Sequence, residues 1–267
     1  MSENQNGKIQ FRGLHTLTGT LELVTGLHIG AGRERVEIGG LDGPVIKHPH
    51  THEPYIPGSS LKGKLRCLLE WALNAVQDDG LPFGSKADEV YPDHPILRLF
   101  GCASKKWRYG PTRLVVRDAF LDRGWVQRIT NAGLTLTEEK TEVVIDRLQG
   151  KAAGNIGPRT MERIPAGARF RLEMTIREYA VNGDGGDKDR KAITWLVTAL
   201  KLLEHDALGG SGSRGYGRVR FTDLTLDGQS IQQKFEQIRK LTGVTEPPVD
   251  LSEELSHGEL LGTAAAG

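Results

Sequence analysis

Two cysteines in 267 residues are too few for a disulfide framework, and no run of about 18 apolar residues is present to cross a membrane. The opening residues, MSENQNGKIQFRG, lack the apolar core of a secretory signal, so the expected compartment is the cytoplasm. Glycine is plentiful, at 34 residues, but none of it leads into a Gly-Lys-Ser/Thr, which excludes a P-loop. Basic residues are missing from positions 241–267, which carry Glu246, Asp250, Glu253, Glu254 and Glu259. The net charge of +1 therefore hides a body, residues 1–240, of +6, with 35 basic against 29 acidic side chains. A near-neutral total does not argue against a polyanionic partner here. With 37% hydrophobic and 26% charged residues, the composition is that of an ordinary globular protein of one large or two small domains.

Residues 15–24, HTLTGTLELV, alternate apolar and polar side chains and predict a half-buried strand. A polar, Gly-rich stretch follows from Gly26 to Gly43. Pro57-Gly58-Ser59-Ser60 then sets up a helix start, with Ser59 or Ser60 as N-cap, and Leu61, Leu65, Leu68, Leu69, Ala72, Leu73 and Val76 line one face to about Gln77. A short apolar turn at His94–Gly101 precedes a second strand at 114–121, LVVRDAFL. Residues 122–162 are polar and read as a projecting hairpin, with a strand around Thr141–Arg147. A third strand is predicted at 168–178, a second long helix at 192–208, stopping at Gly209-Gly210, and a fourth strand at 217–226. The order β-α-β-β-α-β is that of a ferredoxin-like (RRM-like) α+β domain, decorated by insertions at 25–58 and 122–162. Residues 1–242 are then a single domain, and the acidic tail at 243–267 is expected to be mobile, because VTEPPVD breaks helices and GTAAAG offers no packing.

Three segments carry the chemistry. GGSGSRGYGRVRF, Gly209 to Phe221, places five glycines within nine residues around Arg214, so that backbone N–H groups can approach an anion such as phosphate. The stretch Arg214–Phe221 fits seven of eight places of the RNP1 pattern, but Arg218 stands where the central aromatic belongs and the segment follows the second helix. A base-stacking RRM is therefore disfavoured. IPGSSLKGKLR, Ile56 to Arg66, surrounds a helix start with Ser59, Ser60, Lys62, Lys64 and Arg66, and two such Gly/Ser/basic elements favour a phosphate backbone as ligand. The third segment, Thr25 to Lys47, contains His28 and Asp42; taken alone, Asp42-Gly43-Pro44 is first of all a turn. His48, His50 and His52 alternate as metal ligands can, but Pro49 interrupts them and no cysteine is near. Cys67 and Cys102 read as free thiols.

Taken together these segments resemble the RAMP superfamily, and within it the backbone subunit of type III-A (Csm) CRISPR effector complexes. The resemblance is carried by TGLHIG at 25–30, IGGLDGPVIK at 38–47, IPGSSLKGKLR at 56–66, LFG at 99–101, RDAFL at 117–121, TEEKTEVVIDR at 137–147 and LLEHDALGGSGSRGYGRV at 202–219, seven motifs in order across most of residues 8–226. It implies several copies forming a helical filament along a CRISPR RNA guide, with complementary target RNA paired to that guide and other type III effector subunits as partners. The 122–162 hairpin would act as a thumb that displaces a base. RNA would be held by His28, Ser59, Ser60, Lys62, Lys64, Arg66, Gly212, Ser213, Arg214 and Arg218, with Arg147 and Arg159 on the thumb.

The same resemblance makes Asp42, the acid of IG-x-x-D, the residue for target cleavage. The implied chemistry depends on Mg²⁺ or another divalent cation that Asp42 would bind or orient, with the neighbouring 2′-hydroxyl as nucleophile. One carboxylate does not make a two-metal site. The HPHTHEP segment departs from the family pattern. Two other readings stay open: a guide-binding subunit that does not cleave, and a metal-independent processing ribonuclease of the same superfamily using His28 as general acid and base.

Overall fold

The computed structural model describes residues 9–31, 43–86, 88, 90–153, 157–239, 241, 243 and 245–255. Its centre is the long strand β1 (Ile9–Leu23), where odd-numbered residues from Gly13 to Leu23 turn inward almost throughout and even-numbered ones face outward. On one side β1 pairs with β7 (Arg169–Val181) and on the other with β8 (Val219–Leu226), both antiparallel. With β3 (Leu114–Val116) and β9 (Gln229–Ser230) at the edges, the five-stranded sheet runs β3-β7-β1-β8-β9, antiparallel at every step. The chain is thus a mixed α+β protein on an antiparallel sheet.

Helices α1 (Gly58–Ala72) and α4 (Asp187–Glu204) pack side by side, joined by the short α2 (Pro95–Phe100). Leu61, Leu65 and Leu69 of α1 and Ile193, Leu196, Leu200 and Leu203 of α4 meet Leu17, Leu21, Met174, Ile176, Phe221 and Leu224 of the sheet in one core. Burial of each such side chain stabilises by roughly 1.5–3 kcal/mol. Among the described residues no helix is long and apolar enough to cross a membrane.

Several expected boundaries shift for local reasons. The first helix ends at Ala72 rather than Gln77, because Asn74 takes a left-handed conformation (φ 53°) that turns the chain out of the helix. Neither Ser59 nor Ser60 is its N-cap. Pro57 holds that position without a side-chain bond, and the Gly58 N–H donates instead to Asp118 Oδ1 at 2.7 Å. The apolar turn after His94 is α2, capped by His94 Nδ1 accepting from the Ile96 N–H, and the second long helix begins five residues early at Asp187, behind left-handed Gly186. The 114–121 segment divides at Arg117-Asp118 into β3 and β4 (Ala119–Phe120), and β4 pairs with β2 (Tyr55–Ile56).

In the polar 122–162 segment, Asp122 caps an amphipathic helix α3 (Arg123–Asn131), which buries Trp125. Strands β5 (Glu138–Glu142) and β6 (Arg159–Arg163) then form a separate two-stranded ladder. The tail expected to be mobile from 243 packs on the body where it is described. After α5 (Gln232–Gln237), the short helix α6 (Ser252–Leu255) buries Leu255, with Leu251 just before it, while Glu246 and Glu254 pair with Lys191 and Lys234. Acidic side chains there are neutralised by the basic body, and the two leucines supply the apolar anchor that the composition alone does not reveal.

Candidate nucleic-acid interface

Leaving β1, the chain enters a narrow slot between the end of β6 and the Gly-rich loop. Leu27 exchanges backbone hydrogen bonds with Ile164 at 2.9 and 2.8 Å, the Gly217 N–H donates to the Gly26 carbonyl and the Gly210 N–H to the His28 carbonyl, both at 2.9 Å. Only glycine suits the loop at Gly209 and Gly217. Both have positive φ, and a side chain would strike the His28 carbonyl at the first and the Leu208 backbone at the second. Three of the predicted segments therefore close on one side chain. His28 Nδ1 lies 2.7 Å from the Glu162 carbonyl, which can only accept, so Nδ1 donates and Nε2 is left for another partner. A side chain on Gly43 would meet the His28 ring at 3.4 Å and one on Gly210 at 3.5 Å, so the ring stands beside the residue that follows Asp42. Asp42 itself lies outside the described residues.

Glu162 is one residue that sequence reasoning missed. It is buried on β6, accepts from the Val45 N–H at 2.9 Å and from Lys47 Nζ at 2.5 Å, and its own N–H donates to the Gly43 carbonyl at 3.1 Å. Burial pushes its pKa up, but the bonds from Lys47, Thr137 and Val45 outweigh that and hold the carboxyl below the usual range. Glu162 thus clamps the segment emerging from the Asp42 loop onto the β5–β6 hairpin. In the sequence it is one charged residue in a polar, charge-rich stretch, with nothing to announce its burial.

Tyr216 was also missed. The loop carries Gly212–Arg214 as one turn of 3-10 helix and then buries Tyr216, whose ring sits 4.5 Å from Lys140 Nζ and 5.1 Å from Arg163 Cζ. Arg214 points the same way, 3.5 Å from Glu142 and 2.6 Å from Ser211 Oγ. Burial, and then the Glu142 carboxylate, push the tyrosine pKa up. Within the RNP1-like match this ring is buried against side chains of the hairpin and is not exposed to a base.

The basic residues do not share one surface. Lys64, Gly212, Ser213 and Arg218 line an open groove of about 820 Å³ together with Thr25 and Asp206. Lys64 pairs there with Asp206 at 2.9 Å, a surface contact worth about 0–1 kcal/mol that a phosphate can replace at little cost. Lys62 and Arg66 face elsewhere. Lys62 Nζ donates to the Leu114 carbonyl at 2.7 Å, and burial, with Arg66 and Arg177 nearby, lowers its pKa; Arg66 is bonded to Glu70 and to the Phe83 carbonyl. The α1 N-terminus has the Asp118 carboxylate against its first amide, which opposes a second anion at that point. Ser59 is exposed and Ser60 half-buried beside it. Arg147 and Arg159 are exposed on the β5–β6 arm, well removed in sequence from Lys64 and Arg218. His48, His50 and His52 form a turn, and no cluster of three metal-ligating side chains exists among the described residues. Neither Cys67 nor Cys102 is in a disulfide, and Cys102 Sγ donates to the Gly84 carbonyl at 3.4 Å.

The sequence profile of the RAMP superfamily matches residues 20–220. The CRISPR system Cms endoribonuclease Csm3 of Methanocaldococcus jannaschii is 38% identical to this chain over 218 residues, 82% of each protein. The protein of the same description from Streptococcus thermophilus is 42% identical over 206 residues, 76% of this chain and 85% of its own. Among solved structures, a chain in the Csm3-Csm4 subcomplex of the type III-A CRISPR-Cas interference complex is 30% identical, with 81% of this chain and 80% of that one covered and a TM-score of 0.49. At this identity and coverage the chain belongs to the RAMP superfamily, within the family of CRISPR Csm3 proteins.

Proposed function

We propose that this chain is a guide-binding backbone subunit of a type III CRISPR effector complex and an endoribonuclease that cuts target RNA paired to the guide, through Asp42. Copies of the chain would repeat along the guide in a filament beside other type III subunits. In this reading the sheet and its two helices are a ferredoxin-like core, supported by the sheet order and the antiparallel pairing of β1 with β7 and β8. The β5–β6 ladder is its thumb. The groove at Lys64 and Arg218 holds the guide backbone, Gly212 and Ser213 offering amides close to it.

The observation that carries the proposal is the convergence on His28. The Gly-rich loop, the thumb strand and the end of the Asp42 loop all meet that ring, so guide backbone, displaced base and scissile phosphate would be brought to one place. Cleavage would proceed by attack of the 2′-hydroxyl on the adjacent phosphorus, expelling the 5′-oxygen, with Asp42 orienting the hydroxyl in line. His28, its Nδ1 fixed by the Glu162 carbonyl, would present Nε2 to the RNA. A divalent cation is part of the proposal, but the described residues do not fit a complete site for one. Glu162, whose backbone carbonyl holds His28, has both carboxylate oxygens engaged by Val45 and Lys47, and no group of three metal-ligating side chains occurs among the described residues.

In complexes assembled with Asp42→Ala, guide and target should still bind while target cleavage falls on the order of a hundredfold or more. Cleavage at unchanged positions and rate would remove Asp42 from the chemistry. An unmutated complex that binds target and leaves it uncut would make the chain a purely structural guide binder. The free Nε2 of His28 favours one second reading, a metal-independent ribonuclease with His28 as general acid and base. Cleavage that survives excess EDTA and disappears in His28→Ala would establish it.

A further inference from the structure

The HPHTHEP turn takes no part in the guide and target contacts proposed for this chain. His48 closes it, donating its N–H to the Glu53 carbonyl at 2.9 Å and accepting on Nδ1 from the N–H groups of His50 and Thr51. The chain returns through a Lys47–Pro54 bridge into β2, which pairs with β4 in the register Tyr55 with Phe120 and Ile56 with Ala119. Ile56 and Ala119 are buried, so by strand alternation Tyr55 and Phe120 both face outward. Such outward positions are ordinarily polar. Here the two rings stack at 5.7 Å and 28°, His48 meets Phe120 edge-on at 6.1 Å, and His50 lies 5.6 Å from His48. Phe120 remains 43% exposed. Beside this row, Arg123 is 71% exposed and held by Glu53 at 2.9 Å.

We propose that Phe120, with Tyr55 and His48, is a stacking platform for a nucleobase of single-stranded RNA, with Arg123 at its edge for a phosphate. An exposed ring row next to a guanidinium is the combination that recognises unpaired bases without reading their sequence. The platform is also in reach of the cleavage loop. His48 is five residues along an extended segment from Gly43, roughly 16 Å at about 3.3 Å per residue. Phe120, 6.1 Å from His48, is therefore within a few nucleotides' reach of a phosphate held at Gly43 and His28. The inference rests on the reading of the chain as an RNA-binding subunit.

The test uses the full chain, a short single-stranded oligoadenylate and an abasic ribose-phosphate strand of the same length. Phe120→Leu keeps the apolar volume and removes the π face; it should weaken oligoadenylate binding about tenfold and leave the abasic strand unaffected. Phe120→Trp should bind like the unmutated chain, and its added fluorescence should be quenched by oligoadenylate and not by the abasic strand. Unchanged affinity of Phe120→Leu for both strands, with unchanged circular dichroism, would overturn the platform while leaving the RNA-binding reading intact. A Phe120→Leu chain that loses self-association in sedimentation instead would assign the patch to contact between copies and likewise overturn it. If the unmutated chain binds neither strand, the RNA-binding reading falls with it.

Discussion

Raising the pH from 6.5 to 9.5 should loosen this fold through a single residue, His15. It lies on the central strand β1 and is only 1% exposed, yet both ring nitrogens face carboxylates: Nδ1 to Asp227 Oδ2 at 2.6 Å and Nε2 to Glu178 Oε2 at 2.8 Å. Asp227 also accepts from the Thr16 N–H, and Glu178 pairs with Arg190. Burial by itself would depress the imidazole pKa. The hydrogen bonds and charges of Asp227 and Glu178 outweigh it and raise the value from 6.5 to about 9. A raised folded-state pKa means that the imidazolium stabilises fully below pH 6.5, and that the stabilisation is lost as pH climbs through 9. At 1.36 kcal/mol per pH unit the loss is about 3 kcal/mol as an upper bound. For a chain of this size that corresponds to a fall in Tm of about 5–10 °C.

The assay is thermal unfolding at constant ionic strength across this pH range, with His15→Gln as the reference that does not titrate at that position. The unmutated protein should be the more stable of the two at pH 6.5, and the gap should close toward pH 9.5. A difference in Tm that stays constant across the range would refute the argument, because the charge on His15 would then contribute nothing.

Asp189→Asn should be costly for a related reason. Asp189 accepts from Arg98 at 2.7 Å, Arg113 at 2.9 Å and the Tyr179 N–H at 2.9 Å; its loss takes the carboxylate from buried Arg113 and leaves buried Arg98 only its longer contacts with Asp184 at 3.5 Å and Asp93 at 3.8 Å. We expect about 3–5 kcal/mol of destabilisation by urea unfolding, and a change below about 1 kcal/mol would show that water or neighbouring acids replace it. Tyr216→Phe keeps the ring contacts with Lys140 and Arg163 and should keep the protease resistance of the unmutated chain, whereas Tyr216→Ala should free the β5–β6 hairpin to limited proteolysis. Equal protease resistance of Tyr216→Ala would show that the ring does not hold the arm.

The alternation in β1, β7 and β8 and the leucine stripes of α1 and α4 were legible because each is a short-range pattern set by one face turning to the core. The Gly-rich loop announced itself for the same reason: positions where a side chain would strike neighbouring backbone admit little but glycine, as at Gly209 and Gly217. Boundaries were less legible. They depended on partners from other elements, such as Asp118 at the start of α1, or on a left-handed residue such as Asn74.

By itself the sequence determined the order of elements, the family motifs and a basic body beneath an acidic tail. Only the tertiary structure decided which charges serve the fold and which stand free. Lys62, Lys64 and Arg66 look alike along α1, but burial against Leu114 and Phe83 commits the first and third, and Lys64 alone of the three looks into the groove. His15 and Asp227 are 212 positions apart, and Glu162 meets Val45 across 117. Pairings of that kind arise only when strands distant in the chain are brought side by side. The energy of a charged side chain is set by burial and by the partner found there, and neither is a property of its neighbours in sequence.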